Sequence, residues 1–214
     1  MLLSLVLYAQ IYGWPFAAGF IGLLFCHEMG HYFAARQRGL AVGLPMFIPF
    51  VGAAIFMKEN PPDAEVEAYV AFAGPFVGAV CSFLVYLIWG DSRLGLAIAY
   101  SGFLLNFINL IPISPLDGGR ITAVLSPRIW LLGLPLLGAL LLYQPSPALL
   151  LVLILALPRL VQAWRFDPKA PENMAYYAAV PFSIRLEYAL MYFGLTAVLG
   201  LVSFGVHERL QGGS

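Results

Sequence analysis

The sequence predicts an all-α polytopic membrane protein of about six to seven transmembrane helices, with a short membrane-dipping β-hairpin or loop after the helix that carries its histidine pair. Three observations predict it. Of 214 residues, 61% are hydrophobic and only 10% are charged, whereas a soluble domain carries roughly 25% charged residues. So few charges cannot cover the apolar surface of a chain this size, so lipid must solvate the remainder. Apolar stretches approaching the ~20 residues needed to cross the hydrocarbon recur along the chain. The basic residues, finally, are distributed unevenly among the connecting segments.

Seven candidate spans emerge in order: Leu2 to Tyr12, Pro15 to Ala35, Val66 to Trp89, Leu94 to Ile113, Ile129 to Tyr143, Ala148 to Val161 and Leu186 to Val206. The first and fifth are short and read as tilted, re-entrant or partly interfacial. Met1 to Ile11 lacks the basic leader and small-residue cleavage site of a signal peptide, so it reads as a short or truncated first span. Between Gly43 and Asn60, Pro45, Pro49 and Gly52 punctuate an apolar stretch and argue for a hairpin or loop rather than one helix. Non-helical backbone at membrane depth needs protein or a water-filled cavity to satisfy it. From Arg165 to Arg185 the chain turns polar and is broken by Pro168, Pro171 and Pro181, as expected of a connector.

Threading the spans places Arg36, Arg38, Lys58, Arg120, Arg128, Arg159, Arg165, Lys169 and Arg185 on one side, against Arg93 and Arg209 on the other. Basic loops stay in the cytoplasm, so the N-terminus and this basic side are expected there and, with seven spans, the C-terminus outside. The expected organisation is one integral membrane domain with a core over 1–125. Additional transmembrane helices occupy 126–214, with the cytoplasmic connector near 164–185. The tail Gln211 to Ser214 is set aside from fold reasoning.

Eleven basic and eleven acidic residues cancel, and no clustered basic face suggests nucleic acid as a partner. Cys26 and Cys81 sit in apolar segments, where cysteine behaves as a small hydrophobe, and no disulfide is expected. Trp14, Trp89, Trp130 and Trp164 fall near span ends and read as an interfacial belt. His207, between Val206 and Glu208 near the C-terminus, reads as a solvated residue.

Chemistry concentrates in His27-Glu28-Met29-Gly30-His31, an HExxH pattern at the end of the second span. At about 100° per residue the two imidazoles lie about 40° apart on one helix face, with Glu28 beside them. Two neutral imidazoles suit Zn²⁺, and a catalytic site keeps three protein ligands with the fourth position open to water. Ionisable residues inside a span are costly and usually functional, which favours a metal site over a structural polar network. Cys26 points elsewhere on the helix and reads as packing. Asp117, on the same membrane side as His31, is the candidate third ligand. Its local sequence reads equally as an Asp-Gly turn ending a helix.

The pair HEMGH and Asn109-Leu110-Ile111-Pro112-Ile113-Ser114-Pro115-Leu116-Asp117-Gly118-Gly119-Arg120 resembles the site-2 protease family of intramembrane zinc metalloproteases. The resemblance runs through FIPFVGAAIFMK and the Ala73-Gly74-Pro75 that opens the third span, over about the first 125 residues. It implies one zinc per chain on His27, His31 and Asp117, with Glu28 as catalytic base. It also makes Asn109 a candidate to hold substrate backbone or stabilise an oxyanion. Asn106, one turn earlier, is expected to bridge helices.

No PDZ-like insertion lies between the spans, so substrate choice is expected to rest within the membrane or in partners. The expected enzyme is a multi-pass endopeptidase of the cell membrane, with its active site near the cytoplasmic side, cutting transmembrane segments of other proteins. In the segment Phe47 to Met57, Ile55 and Phe56 are candidate substrate-docking positions, because an edge strand can pair with an unwound substrate. Two other classes compete. A metal-binding transporter would show repeated halves, and none is visible; a catalytically inactive assembly protein would have no need of Glu28.

Overall fold

The computed structural model describes residues 1–49, 52–178 and 180–212. Phe50 and Val51 of the expected hairpin, Ala179 of the connector, and Gly213 and Ser214 of the tail lie outside the described residues. The chain forms α1 (Leu2–Tyr12), α2 (Trp14–Gln37), β1 (Met46–Ile48), β2 (Gly52–Ala54), α3 (Ala64–Trp89) and α4 (Arg93–Asn109). A short α5 (Asp117–Thr122), α6 (Trp130–Tyr143), α7 (Pro147–Trp164), the single turn α8 (Pro171–Asn173) and α9 (Phe182–Gly212) complete it. A wide turn over Met174–Ala178 continues α8.

Three of these helices, α3, α7 and α9, are long and apolar enough to cross a membrane, so this is a helical membrane protein. With 24 residues α2 is also long enough, but His27, Glu28, His31 and Arg36 interrupt its apolar run. With 11 residues α1 is only about 16 Å long, half of the ~30 Å hydrocarbon. Among the described residues β1 and β2 form the only sheet. It is an antiparallel pair with Phe47 opposite Ala53, extended by a bridge between Val42 and Met57.

Local chemistry sets the boundaries that position the site. Asp63 caps α3 by accepting the Val66 N–H at 2.8 Å, with Glu65 and Glu67 in the first turn, where the helix dipole favours acids. Ala73-Gly74-Pro75 does not open this helix but lies inside it, because the Asp63 cap starts it at Ala64. The fourth span, expected to reach Ile113, ends at Asn109; prolines at 112 and 115 disfavour helix in the residues before them. Asp117 begins α5 and so does not sit in a turn ending a helix.

Helices α2, α3 and α4 approach closely over small residues, with Ala68, Ala71 and Ala99 fully buried, the packing expected where backbones must meet within lipid. A Cβ on Gly30 would run into the Ala73 carbonyl across the α2–α3 contact. The last helix returns to the same core: Tyr188, Tyr192, Leu199 and Val206 of α9 cluster with Phe103 and Leu110. A second cluster joins Ile113 and Trp130 to Leu137, Ala156 and Leu160 of α6 and α7. Trp14, Trp89 and Trp164 face outward, but Trp130 is 6% exposed, so the belt reading fails for it. Its indole N–H has a carbonyl partner inside the fold, described below. Both cysteines are free thiols.

Candidate metal centre

One turn of α2 separates His27 from His31, and both side chains are buried with Glu28 between them. The opposing wall comes from α3, α4 and the start of α5. His31 Nδ1 lies 2.7 Å from the Val70 carbonyl of α3. A carbonyl only accepts, so Nδ1 carries the proton and Nε2 keeps its lone pair. His27 Nδ1 lies 2.8 Å from Asn106 Oδ1 of α4. The Asn106 Nδ2 donates to the Gly102 carbonyl at 2.7 Å, which orients the amide and leaves Oδ1 as acceptor. His27 therefore also donates from Nδ1 and presents a bare Nε2.

The two bare nitrogens lie 3.1 Å apart, and Asp117 Oδ2 lies 3.2 Å from His27 Nε2 and 3.3 Å from His31 Nε2. With both imidazoles neutral, three buried acceptor atoms face one another, an arrangement that repels itself unless a cation, a metal ion or a proton, sits among them. A tetrahedral ion with donors at about 2.0–2.1 Å has donor–donor edges of about 3.3 Å, matching all three separations. Two imidazoles and one carboxylate are borderline donors suited to zinc rather than to oxygen-seeking Ca²⁺ or Mg²⁺. Hydrogen bonds from both Nδ1 groups fix ring tautomer and orientation, as partners of metal-binding histidines do. The donor set fits Zn²⁺, and among the described residues no other such group occurs.

A cavity of about 260 Å³ opens over this triangle, lined by Glu28, Ile55, Met57, Asn109 and Arg120 among others. The Asn109 amide spends one N–H on the Leu105 carbonyl at 3.0 Å, leaving its second N–H for a ligand. Ile55 is in the cavity wall, whereas Phe56 is 57% exposed and absent from that wall. Of the sequence-derived site residues, the fold brings together His27, Glu28, His31, Asn109, Asp117 and Ile55, and leaves Phe56 outside. His207 pairs with Gln211 and stacks near Tyr100, apart from the centre.

Four residues support the centre without a site role expected from the sequence. Asn106 was expected to bridge helices; it does, and its partner is the His27 imidazole. Trp130 donates from Nε1 to the Gly119 carbonyl at 2.7 Å, bracing the first turn of α5 beside Asp117. Gly74 and Gly78 of α3 leave room for the His31 ring and the Asn106 amide, each of which a Cβ would overlap. Only the Gly74/Gly78 spacing, one helical turn, was readable beforehand.

Residues 15–93 match the description of peptidase family M50. Zinc metalloprotease MJ0392 of Methanocaldococcus jannaschii is 32% identical over 110 residues, which is 48% of this chain and 32% of that protein. Both findings support a protein of the site-2 protease family. A probable chloroplastic zinc metalloprotease, EGY1 of Arabidopsis thaliana, is 34% identical over 79 residues, 35% of this chain and 14% of that protein. The probable chloroplastic zinc metalloprotease EGY2 of Oryza sativa subsp. indica is 27% identical over 240 aligned positions, 88% of this chain and 42% of that protein. The chain thus spans less than half the length of these family relatives.

Proposed function

We propose that this chain is an intramembrane zinc metalloendopeptidase that hydrolyses peptide bonds in or near transmembrane segments of other membrane proteins. The observation that carries the reading is the buried triangle of three acceptor atoms beside a buried carboxylate, Glu28, in a cavity at the centre of an apolar helical protein. Held by His27, His31 and Asp117, zinc would supply a Lewis acid that polarises a carbonyl and lowers the pKa of water. Glu28 would accept a proton from the attacking water and deliver it to the leaving amine. Asn109 holds the substrate carbonyl with its remaining amide N–H, a contribution that elsewhere amounts to roughly 10²–10³ in rate.

A helical substrate keeps its carbonyls in its own hydrogen bonds, so it must unwind before attack. The β2 strand and Ile55 offer an extended edge in the cavity wall, and pairing with that edge replaces the hydrogen bonds lost on unwinding. Ile55→Pro removes a backbone donor from the edge and is expected to lower cleavage by roughly 5- to 150-fold, the equivalent of about 1–3 kcal/mol for an unmet backbone group. Ile55→Ala should cost far less, and zinc content should not change in either. Cleavage by Ile55→Pro at the wild-type rate would remove the docking edge while leaving the zinc reading intact.

The reading extends to six or seven spans, a proteolytic core over residues 1–125 with accessory helices over 126–214, and a cell-membrane location with the zinc near the cytoplasmic face. The nine basic residues that thread to one side, against Arg93 and Arg209 opposite, support that side. Access of an impermeant thiol reagent to a cysteine placed beside Arg38 decides it. For the centre itself, the purified chain should carry about one zinc, as the three-ligand count requires. Asp117→Ala should lower zinc occupancy sharply, and metal analysis of the purified variant measures it. Wild-type zinc in both Asp117→Ala and His31→Ala would end the assignment.

A further inference from the structure

Asp117 presents one oxygen to the histidines and turns the other away, and the second oxygen has its own surroundings. Oδ1 faces Arg120 Nη1 at 3.7 Å, one helical turn along α5. Arg120 Nε faces Glu67 Oε1 of α3 at 3.4 Å, and Glu67 Oε2 accepts the Tyr176 hydroxyl at 2.8 Å. Tyr176 belongs to the connector between α7 and α9, 109 residues away from Glu67 in sequence. Burial, and then the Glu67 charge, push the Tyr176 phenol far above its ordinary range. It therefore keeps its proton and remains a donor to Glu67 at every physiological pH.

Arg120 Nε donates a long hydrogen bond to Glu67 at 3.4 Å, and its 3.7 Å approach to Asp117 is charge–charge alone. Arg120 Nη2 is buried without a hydrogen-bond partner. A guanidinium seated to satisfy its own donors would not leave one orphaned; this one is seated between two carboxylates. The torsion that turns an aspartate carboxylate about its Cβ–Cγ bond is soft. Without a cation on Oδ1, the Asp117 carboxylate is free to rotate and turn Oδ2 away from the two histidine nitrogens it faces. That would loosen the donor set that a metal needs.

We propose that Arg120, held by Glu67 and Tyr176, is the positioning residue that keeps Asp117 Oδ2 turned toward the two histidines, which makes the connector a working part of the metal centre. This rests on Asp117 being a zinc ligand. The ordinary alternative is an ion pair at the helix ends that only ties the connector down, and the two differ in what they do to metal affinity.

The test measures the zinc Kd of the full-length protein in detergent by chelator competition, together with thermal unfolding. Arg120→Met is expected to raise the Kd by roughly 10- to 100-fold, the range for residues that orient metal ligands. Tyr176→Phe, which removes a single oxygen, is expected to raise it by roughly tenfold. Because both act along one chain of contacts, the double variant should bind no more weakly than Arg120→Met alone. Arg120→Lys should recover part of the loss by restoring the charge. In the cobalt-substituted protein, Arg120→Met should change the visible absorption, because the orientation of the Asp117 donor is altered. Wild-type Kd in both Tyr176→Phe and Arg120→Met overturns the proposal, even if unfolding shifts, provided Asp117→Ala loses zinc. Wild-type Kd in Asp117→Ala overturns the ligand reading itself, and the proposal with it.

Discussion

Glu28→Gln is expected to keep its zinc and lose peptide hydrolysis by a factor of about 10²–10⁴, the usual contribution of a positioned general base. The glutamine has nearly the same shape, and none of the three mutually facing donor atoms belongs to Glu28, so the metal should stay. What disappears is an oxygen able to take a proton. Glu28 is 4% exposed and lines the cavity over the donor triangle. No other carboxylate among the cavity-lining residues is free for the task, because Asp117 is committed to the donor triangle. Metal analysis and cleavage of a membrane-protein substrate by the same preparation measure both halves. Zinc loss would mean that Glu28 is a ligand, and undiminished cleavage would mean that the base lies elsewhere. A transporter using the same ion would respond weakly to this change, so the result also separates the two classes.

The donors were legible in the sequence because the helix repeat alone brings residues four apart onto one face, and few polar residues interrupt the apolar spans. His27, Glu28 and His31 needed no tertiary information. Asp117 did: local sequence left it balanced between a ligand and a turn, and only the expectation of a shared membrane side tipped the balance. The groups that hold the donors were not legible. Asn106 orients His27, and the Val70 carbonyl orients His31, through the register of α4 and α3 against α2. No spacing within one helix encodes that register. Trp130 shows the same limit from another direction. Its place near a span end fits an interfacial tryptophan, yet the Gly119 carbonyl draws its N–H inward. The helix boundaries differed where capping and proline chemistry overrode hydropathy, as at Asp63 and after Asn109.

The α2–α3 register makes a second large effect expected, from the smallest possible change. Gly74→Ala should abolish zinc binding and hydrolysis together, to the extent that His31→Ala does. A methyl group at Gly74 would occupy the space of His31 Nε2, Cε1 and Cδ2, the edge of the ring that carries the donor nitrogen. The ring has nowhere to retreat. Its Nδ1 is held at 2.7 Å by the Val70 carbonyl of the same α3 helix, and its other side meets the His27 ring, with centroids 4.8 Å apart and planes at 83°. Overpacking of this kind typically costs about 1–3 kcal/mol when neighbours can shift; here the shift removes a ligand. Helix formation is not what suffers, since alanine favours a helix over glycine by about 0.5–1 kcal/mol. Gly22→Ala makes the control: a Cβ there meets nothing within 4 Å, so zinc and activity should stay at wild-type levels. If Gly74→Ala retains both, His31 does not pack against α3 at this register, and the donor triangle must be assembled another way.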